Sequence, residues 1–131
     1  MNTEFRPKAY VKEKCPFSFK FLVFAAESGL LDRIDVVRLD PSDPGYEATR
    51  NMLSEKLGKA ATFPVVEVEL GQYMADSDRL IERYAAEAHL EAGTMPVLSF
   101  YKETIFPQLI ELFQIKHPKT ATGGTQGAGT S

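Results

Sequence analysis

The spacing of hydrophobic and polar positions changes several times along the chain, and each change marks an element. Pro7 to Val11 alternates, with Lys8 and Tyr10 on one face and Ala9 and Val11 on the other, as a strand does. From Pro16 to about Ser28 the period lengthens. Phe17, Phe21, Phe24 and Ala25 recur at i, i+4, i+7 and i+8, with Ser28 next in the row and Leu22 widening the stripe. That pattern predicts a helix packed on more than one side, and Gly29 is a natural stop for it. Ile34 to Leu39, rich in β-branched residues, reads as a second strand, and Asp40-Pro41-Ser42-Asp43-Pro44-Gly45 is dense in turn chemistry. Tyr46 to Leu57 follows as a second helix with Met52, Leu53 and Leu57 inward and Gly58 just past its end. Strand, helix, strand implies a parallel pair joined by a right-handed crossover.

The second half changes character. Val65 to Leu70 alternates apolar with acidic residues, so Glu67 and Glu69 read as a solvated strand face. Gly71-Gln72 is a two-residue turn, and Tyr73-Met74 starts an antiparallel return strand. Asp76 or Ser77 then caps a third helix, Asp78 to about His89, with Leu80, Ile81 and Tyr84 facing inward. After the break at Ala92-Gly93-Thr94-Met95-Pro96, a last helix is expected from Val97 to Ile115, kinked or split by Pro107. The expected fold is α/β, in the order β-α-β-α-β-β-α with a mixed four-stranded sheet and one or two extra C-terminal helices. Residues 1–91 form the α/β domain, 92–118 a helical extension, and 119–131 a small-residue tail expected to be disordered.

Composition narrows the class without naming a function. The chain of 131 residues is 44% apolar and 25% charged, which suits one soluble globular domain. A net charge of −3 with no basic cluster argues against a nucleic-acid partner. No apolar run is long enough to span a bilayer, and the first six residues lack an apolar signal core, so a cytoplasmic protein is expected. A single cysteine excludes an intramolecular disulfide, a Cys-x-x-Cys pair and a zinc knuckle. His89 and His117 are isolated and read as surface residues, so no metal site is expected.

The one cysteine lies in Lys14-Cys15-Pro16-Phe17-Ser18. Proline suits the first turn of a helix, which places Cys15 at the N-cap or just outside it, at the positive end of the helix dipole and close in sequence to Lys12 and Lys14. Such surroundings favour thiolate over thiol. The competing reading, a buried cysteine acting as a small hydrophobe, suits a site between lysine and proline poorly. A second feature is Thr62-Phe63-Pro64, where proline stands at a strand's start because it cannot donate to the ladder.

Cys15-Pro16-Phe17-Ser18, Thr62-Phe63-Pro64 and Ala75-Asp76-Ser77-Asp78, in this order, resemble the thioredoxin-fold glutathione-binding superfamily over residues 7 to 90. Within it the chain is similar to glutaredoxins and to the N-terminal domain of glutathione S-transferases, the cysteine-type, omega-like ones above all. The resemblance implies a thioredoxin-like fold with glutathione as cosubstrate. Cys15 would be the nucleophile, or the atom forming a mixed disulfide with glutathione, with Pro16 and Phe17 beside it in the binding site. Pro64 would be cis and present the backbone of Phe63 to the cysteinyl part of glutathione. Asp76 and Ser77 would hold the γ-glutamyl end, at a helix N-terminus that also welcomes a carboxylate on physical grounds. For these two, plain helix capping is a compatible reading. Lys59 would reach the glycyl carboxylate, against the alternative of a solvated loop lysine.

Two departures from the family pattern matter. Ser18 stands where dithiol glutaredoxins carry their second cysteine, which leaves only a monothiol route. Only one or two helices follow residue 95, whereas full transferases build their electrophile pocket from an all-helical domain. The expected function is therefore a glutathione-dependent monothiol thiol–disulfide oxidoreductase, glutaredoxin-like or truncated-transferase-like, acting on a small-molecule or protein thiol or disulfide. The alternative is a non-catalytic interaction module docking through its last helix. That helix could instead cover the sheet, or support a homodimer through Phe100, Tyr101, Phe106 and Phe113, since a helix apolar on several faces seldom stays exposed. Metal-cluster ligation by Cys15 in a dimer is a third reading, weakened because Cys-Pro-Phe-Ser departs from the Cys-Gly-Phe-Ser of cluster-binding monothiol glutaredoxins.

Overall fold

A computed structural model describes residues 5–116, so the tail at 119–131 and His117 lie outside the described residues. Four strands form one sheet: β1 (Lys8–Lys12), β2 (Asp35–Leu39), β3 (Val65–Glu69) and β4 (Gln72–Ala75). Their spatial order is β2-β1-β3-β4, with β1 and β2 parallel and the β1–β3 and β3–β4 pairs antiparallel. The helices are α1 (Pro16–Ser28), α2 (Tyr46–Leu57), α3 (Ser77–Glu87), α4 (Pro96–Phe100) and α5 (Phe106–Lys116). This is the thioredoxin-like arrangement, with further helix at its C-terminal end.

Strand alternation divides the core between the two faces of the sheet. Ala9, Val66 and Val68 face α1 and α3 and pack with Phe21, Phe24, Leu80 and Leu98. Tyr10, Leu39, Val65 and Ala75 face the other way and meet Tyr46 and Leu53 of α2. Phe21, Phe24, Leu53, Leu80 and Leu98 are fully enclosed, and burying each such side chain stabilises the fold by about 1.5–3 kcal/mol. Because Leu98 and Met95 belong to the same cluster as α1 and α3, the C-terminal helix is anchored in the main core.

Several expected boundaries shift for identifiable reasons. The hairpin turn is Leu70-Gly71, not Gly71-Gln72, so the return strand starts at Gln72. Gly71 takes the left-handed conformation (φ 77°), and its N–H donates to Glu67 Oε2 at 2.8 Å. The cap of α3 is Asp76, and the helix itself begins at Ser77 and ends at Glu87, two residues before His89, which has a positive φ of 59°. The last helix keeps going through Pro107. A π-helical turn, Tyr101–Ile105, joins α4 to α5, and Phe106 N donates to Tyr101 O. Proline at 107 has no N–H to give the preceding turn, and the wider π turn absorbs that lost bond.

Three of the four aromatic residues offered for self-association are engaged within the chain. Phe106 and Phe113 meet the Phe17 ring edge-on at 5.4 and 6.3 Å, and Tyr101 is buried. Phe100 remains exposed. No helix among the described residues is long and apolar enough to cross a membrane, and no group of three or more His, Cys, Asp or Glu residues there could hold a metal ion.

Candidate functional site

Cys15 occupies the N-cap of α1 with extended backbone angles (φ −107°, ψ 117°), as Pro16 at the first helical position requires. Its sulfur accepts from the Ser18 N–H at 3.4 Å and lies 3.9 Å from the Phe63 carbonyl oxygen, to which the thiol donates. Little of Cys15 is exposed, 9%. Ser18, at the position of a missing second cysteine, has a structural task. Its hydroxyl accepts from the Lys12 N–H at 3.1 Å, tying the end of β1 to the first turn of α1. Lys14 between them adopts a positive φ of 62°, an uncommon backbone for a residue with a side chain.

The Phe63–Pro64 bond is cis, and Pro64 is fully buried at the start of β3. Asp76 has φ 86° and ψ 106°, and its carboxylate accepts from Asp78 N at 3.0 Å and Arg79 N at 3.4 Å. The capping reading of Asp76 is thus realised, at a backbone position that costs on the order of 1–3 kcal/mol to hold. Ser77 is 1% exposed and its hydroxyl has no hydrogen-bond partner among the described residues. Leaving a buried hydroxyl unpaired costs roughly 1–3 kcal/mol, so this group is ready for a ligand atom or water.

The structure therefore draws Cys15 directly to Phe63, with Asp76 and Ser77 at the N-terminus of α3. Phe17 is half-buried beneath the aromatic residues of α5. Lys59 follows the Gly58 cap in an exposed loop, where its N–H donates to Ser54 O. Among the described residues its ammonium makes no ion pair or hydrogen bond.

Sequence patterns do not assign three further residues to the site. Tyr46, at the start of α2, is buried with its ring 6.3 Å from that of Phe63. Burial raises its phenol above the usual range, Arg50 opposes this, and Glu47 and Cys15 add to the rise. Tyr101 donates its hydroxyl to the Pro16 carbonyl at 2.9 Å. Burial first and the charge of Cys15 second push its phenol up to about 12. Lys20 is 4% exposed. Its ammonium pairs with Asp78 Oδ1 at 2.8 Å and lies over the Phe106 ring at 4.4 Å, which joins α1 to the first turn of α3 and the start of α5. A single lysine inside an apolar helix stripe carries no sequence signal of such a partner, because Asp78 is 58 residues away.

The outer flank of Cys15 is open. A groove of about 560 Å³ runs between the Lys12–Lys14 loop and Phe19 and Leu22 of α1. A second, of about 520 Å³, connects the same loop to Asp40, Leu112 and Phe113. The last helix thus supplies an apolar wall to a rim otherwise made of charged loops. Glu13 and Arg38 form a two-bond pair on that rim at 2.7 and 2.9 Å, and this pairing holds the Glu13 carboxyl below its usual range.

Comparison with known proteins bears on the family and the fold. The sequence pattern of the glutathione S-transferase N-terminal domain matches residues 14–88. No curated protein matches. Among solved structures, a possible glutathione S-transferase from Rhodopseudomonas palustris is 19% identical with a TM-score of 0.55, covering 82% of this chain and 54% of that one. Glutathione transferase Omega 3C from Trametes versicolor is 18% identical with a TM-score of 0.55, covering 84% and 51%. A glutathione transferase from Gordonia bronchialis is 18% identical with a TM-score of 0.51, covering 82% and 40%. Likeness at such identities concerns the fold, and the chain spans about half the length of the first two structures. With the match running over more than half of its length, from the residue before Cys15 to just past α3, the chain belongs to the glutathione S-transferase N-terminal domain family.

Proposed function

We propose that the chain binds glutathione in the cleft between Cys15, Phe63 and the N-terminus of α3, and uses Cys15 for monothiol thiol–disulfide exchange. The observation that carries this reading is the convergence of the Cys15 sulfur on the Phe63 carbonyl, 3.9 Å apart although 48 positions separate them. The unpartnered hydroxyl of Ser77 supports it from the other end of the cleft. A γ-glutamyl carboxylate at that helix end would satisfy Ser77 and meet the positive end of the α3 dipole. The ammonium of the same group suits Asp76. Phe63 offers backbone donor and acceptor to the cysteinyl portion. Lys59 has the loosest claim, to the glycyl carboxylate.

In the reaction, the Cys15 thiolate attacks the glutathionyl sulfur of a mixed disulfide. The S–S bond breaks, its electron pair leaves on the substrate sulfur, and that thiolate takes a proton from water. A disulfide between Cys15 and glutathione remains. The thiolate of a second glutathione attacks the glutathionyl sulfur, which releases glutathione disulfide and restores Cys15. Ser18 cannot resolve the intermediate, since it has no thiol and its hydroxyl is committed to Lys12 N. The open flank beside Cys15 leaves room for a disulfide-bearing small molecule or a protein loop.

The test is reduction of a glutathionylated substrate by wild type and by Cys15→Ser. Loss of turnover in the variant, of about 100-fold or more, is the expected result for removal of an essential nucleophile. Equal turnover in both proteins would end the catalytic reading and leave a binding module.

A further inference from the structure

We propose that Tyr101, which lies outside the matched family region, is a positioning residue for Cys15 and acts through the Pro16 carbonyl. The phenol hydroxyl reaches back 85 positions to donate to Pro16 O at 2.9 Å, in a buried setting. Its ring is fixed on both sides, edge-on to Phe19 at 5.1 Å and tilted against Phe106 at 5.6 Å. Tyr101 is also the first residue of the π turn, whose closing bond runs from Phe106 N to Tyr101 O. The irregular turn ahead of Pro107 thereby sets where this side chain points. π-Helical turns inside α-helices occur frequently at functional sites.

The physical link to sulfur is one peptide group. Pro16 C=O and Phe17 N–H belong to the same unit, in the first turn of α1, whose unpaired N–H groups point back toward the cap. A hydrogen bond accepted at the carbonyl end polarises the unit and strengthens hydrogen bonding at its N–H end, by about 10–30% per bond. That end lies in the turn whose Ser18 N–H already donates to Cys15. The same bond pins the first turn against the last helix, which fixes the direction of the cap. Burial and the nearby Cys15 charge hold Tyr101 protonated, so it remains a donor across the neutral range. The other titratable or charged groups around the sulfur are Tyr46 from α2, Arg38 from β2, Lys12 from β1, and Glu13 and Lys14 from the loop before α1.

The catalytic consequence rests on Cys15 being the reacting thiol, but the test does not need glutathione. Alkylation of Cys15 by iodoacetamide, followed by mass across a range of pH, is compared in the full chain for wild type, Tyr101→Phe and Phe100→Ala. Tyr101→Phe keeps the ring and its contacts, and loss of one hydrogen bond leaves the protein folded, which thermal unfolding verifies. The expected result is alkylation about two- to threefold slower near neutral pH, with the difference from wild type shrinking as pH rises. Phe100→Ala, one residue earlier and 62% exposed, should superimpose on wild type. A Tyr101→Phe profile identical to wild type overturns the proposal, and so does a uniform change in rate at every pH, which would indicate access or packing alone. If wild type fails to reduce a glutathionylated substrate, the function proposed above falls while this comparison still decides the role of Tyr101.

Discussion

The two helical runs that meet at the site are specified in opposite ways. α1 is bounded by its own neighbours: Cys15 caps it, Pro16 opens it, and Gly29 closes it with a φ of 86°. The last run, from Pro96 to Lys116, has no local side-chain cap at its start. Its first free amides, Val97 N and Leu98 N, are taken by the Glu27 carboxylate at 2.9 and 2.8 Å, from 70 positions away. Its middle is held by Tyr101 on Pro16 and by Phe106 against Lys20 and Phe17. One helix carries its instructions in adjacent residues, while the other borrows them from α1. An end capped at a distance exists only when the two helices are packed together, so folding and docking of the last run are one event.

The largest test of this contrast is in the core. Leu98→Ala in the last helix should cost about 2–5 kcal/mol by chemical denaturation, the same range as Leu53→Ala beneath α2, since both are fully buried. A loss under about 1 kcal/mol for Leu98→Ala would make the last helix an appendage and collapse the comparison. A smaller effect is expected at the borrowed cap. Glu27→Ala should destabilise by roughly 1–3 kcal/mol because two amides lose a charged acceptor, and Glu27→Gln, which keeps one acceptor oxygen, should recover part of that. Hydrogen exchange should then accelerate in 97–105 more than in α1; equal acceleration in both would mean that α1 depends on the cap as well.

The weakest effect appears only in alkali. Tyr84, in α3, and Tyr101, in the last helix, are both pushed up to about 12 from the ordinary phenol value of 10, chiefly by burial. Below pH 10 folded and unfolded chains both hold these protons, and the stabilisation is complete. As pH rises from about 10 through about 12, the unfolded chain releases them first, so stability declines across that window. Tyr84→Phe and Tyr101→Phe should each flatten part of the decline in denaturation curves recorded with pH. They should differ near neutrality. The Tyr84 hydroxyl is buried without a partner among the described residues, so removing it costs little or nothing, whereas Tyr101→Phe gives up its bond to Pro16. An unchanged alkaline slope in both variants would show that other groups govern it.

Residue patterns make α1 and α2 legible to their ends, because proline at the first position of α1 and glycine in the left-handed cap of both act within one turn. They located the hairpin but misplaced its turn by one residue, since both placements put Gly71 in the loop and only the strand register chooses between them. Cys15, Phe63, Asp76 and Ser77 were readable as separate motifs with local backbone roles. Lys20, Tyr46 and Tyr101 were not, because each looks like an ordinary helix residue until its distant partner is known. Pro107 predicts a kink or split in the last helix, and the packed run meets it with a π turn held in place by Tyr101 and Phe106.

By itself, then, the sequence determined the order of strands and helices, the cap that presents Cys15, and the family to which residues 14–88 belong. All of these are set by spacing within a turn or a strand, where neighbours in the chain are neighbours in space. Only the tertiary structure decided that Cys15 meets Phe63, that the Ser77 hydroxyl is buried without a partner among the described residues, and that the last helix caps itself on Glu27 and braces the first turn of α1. Those contacts join residues 48 to 85 positions apart, and no periodicity in a chain records a partner at that distance.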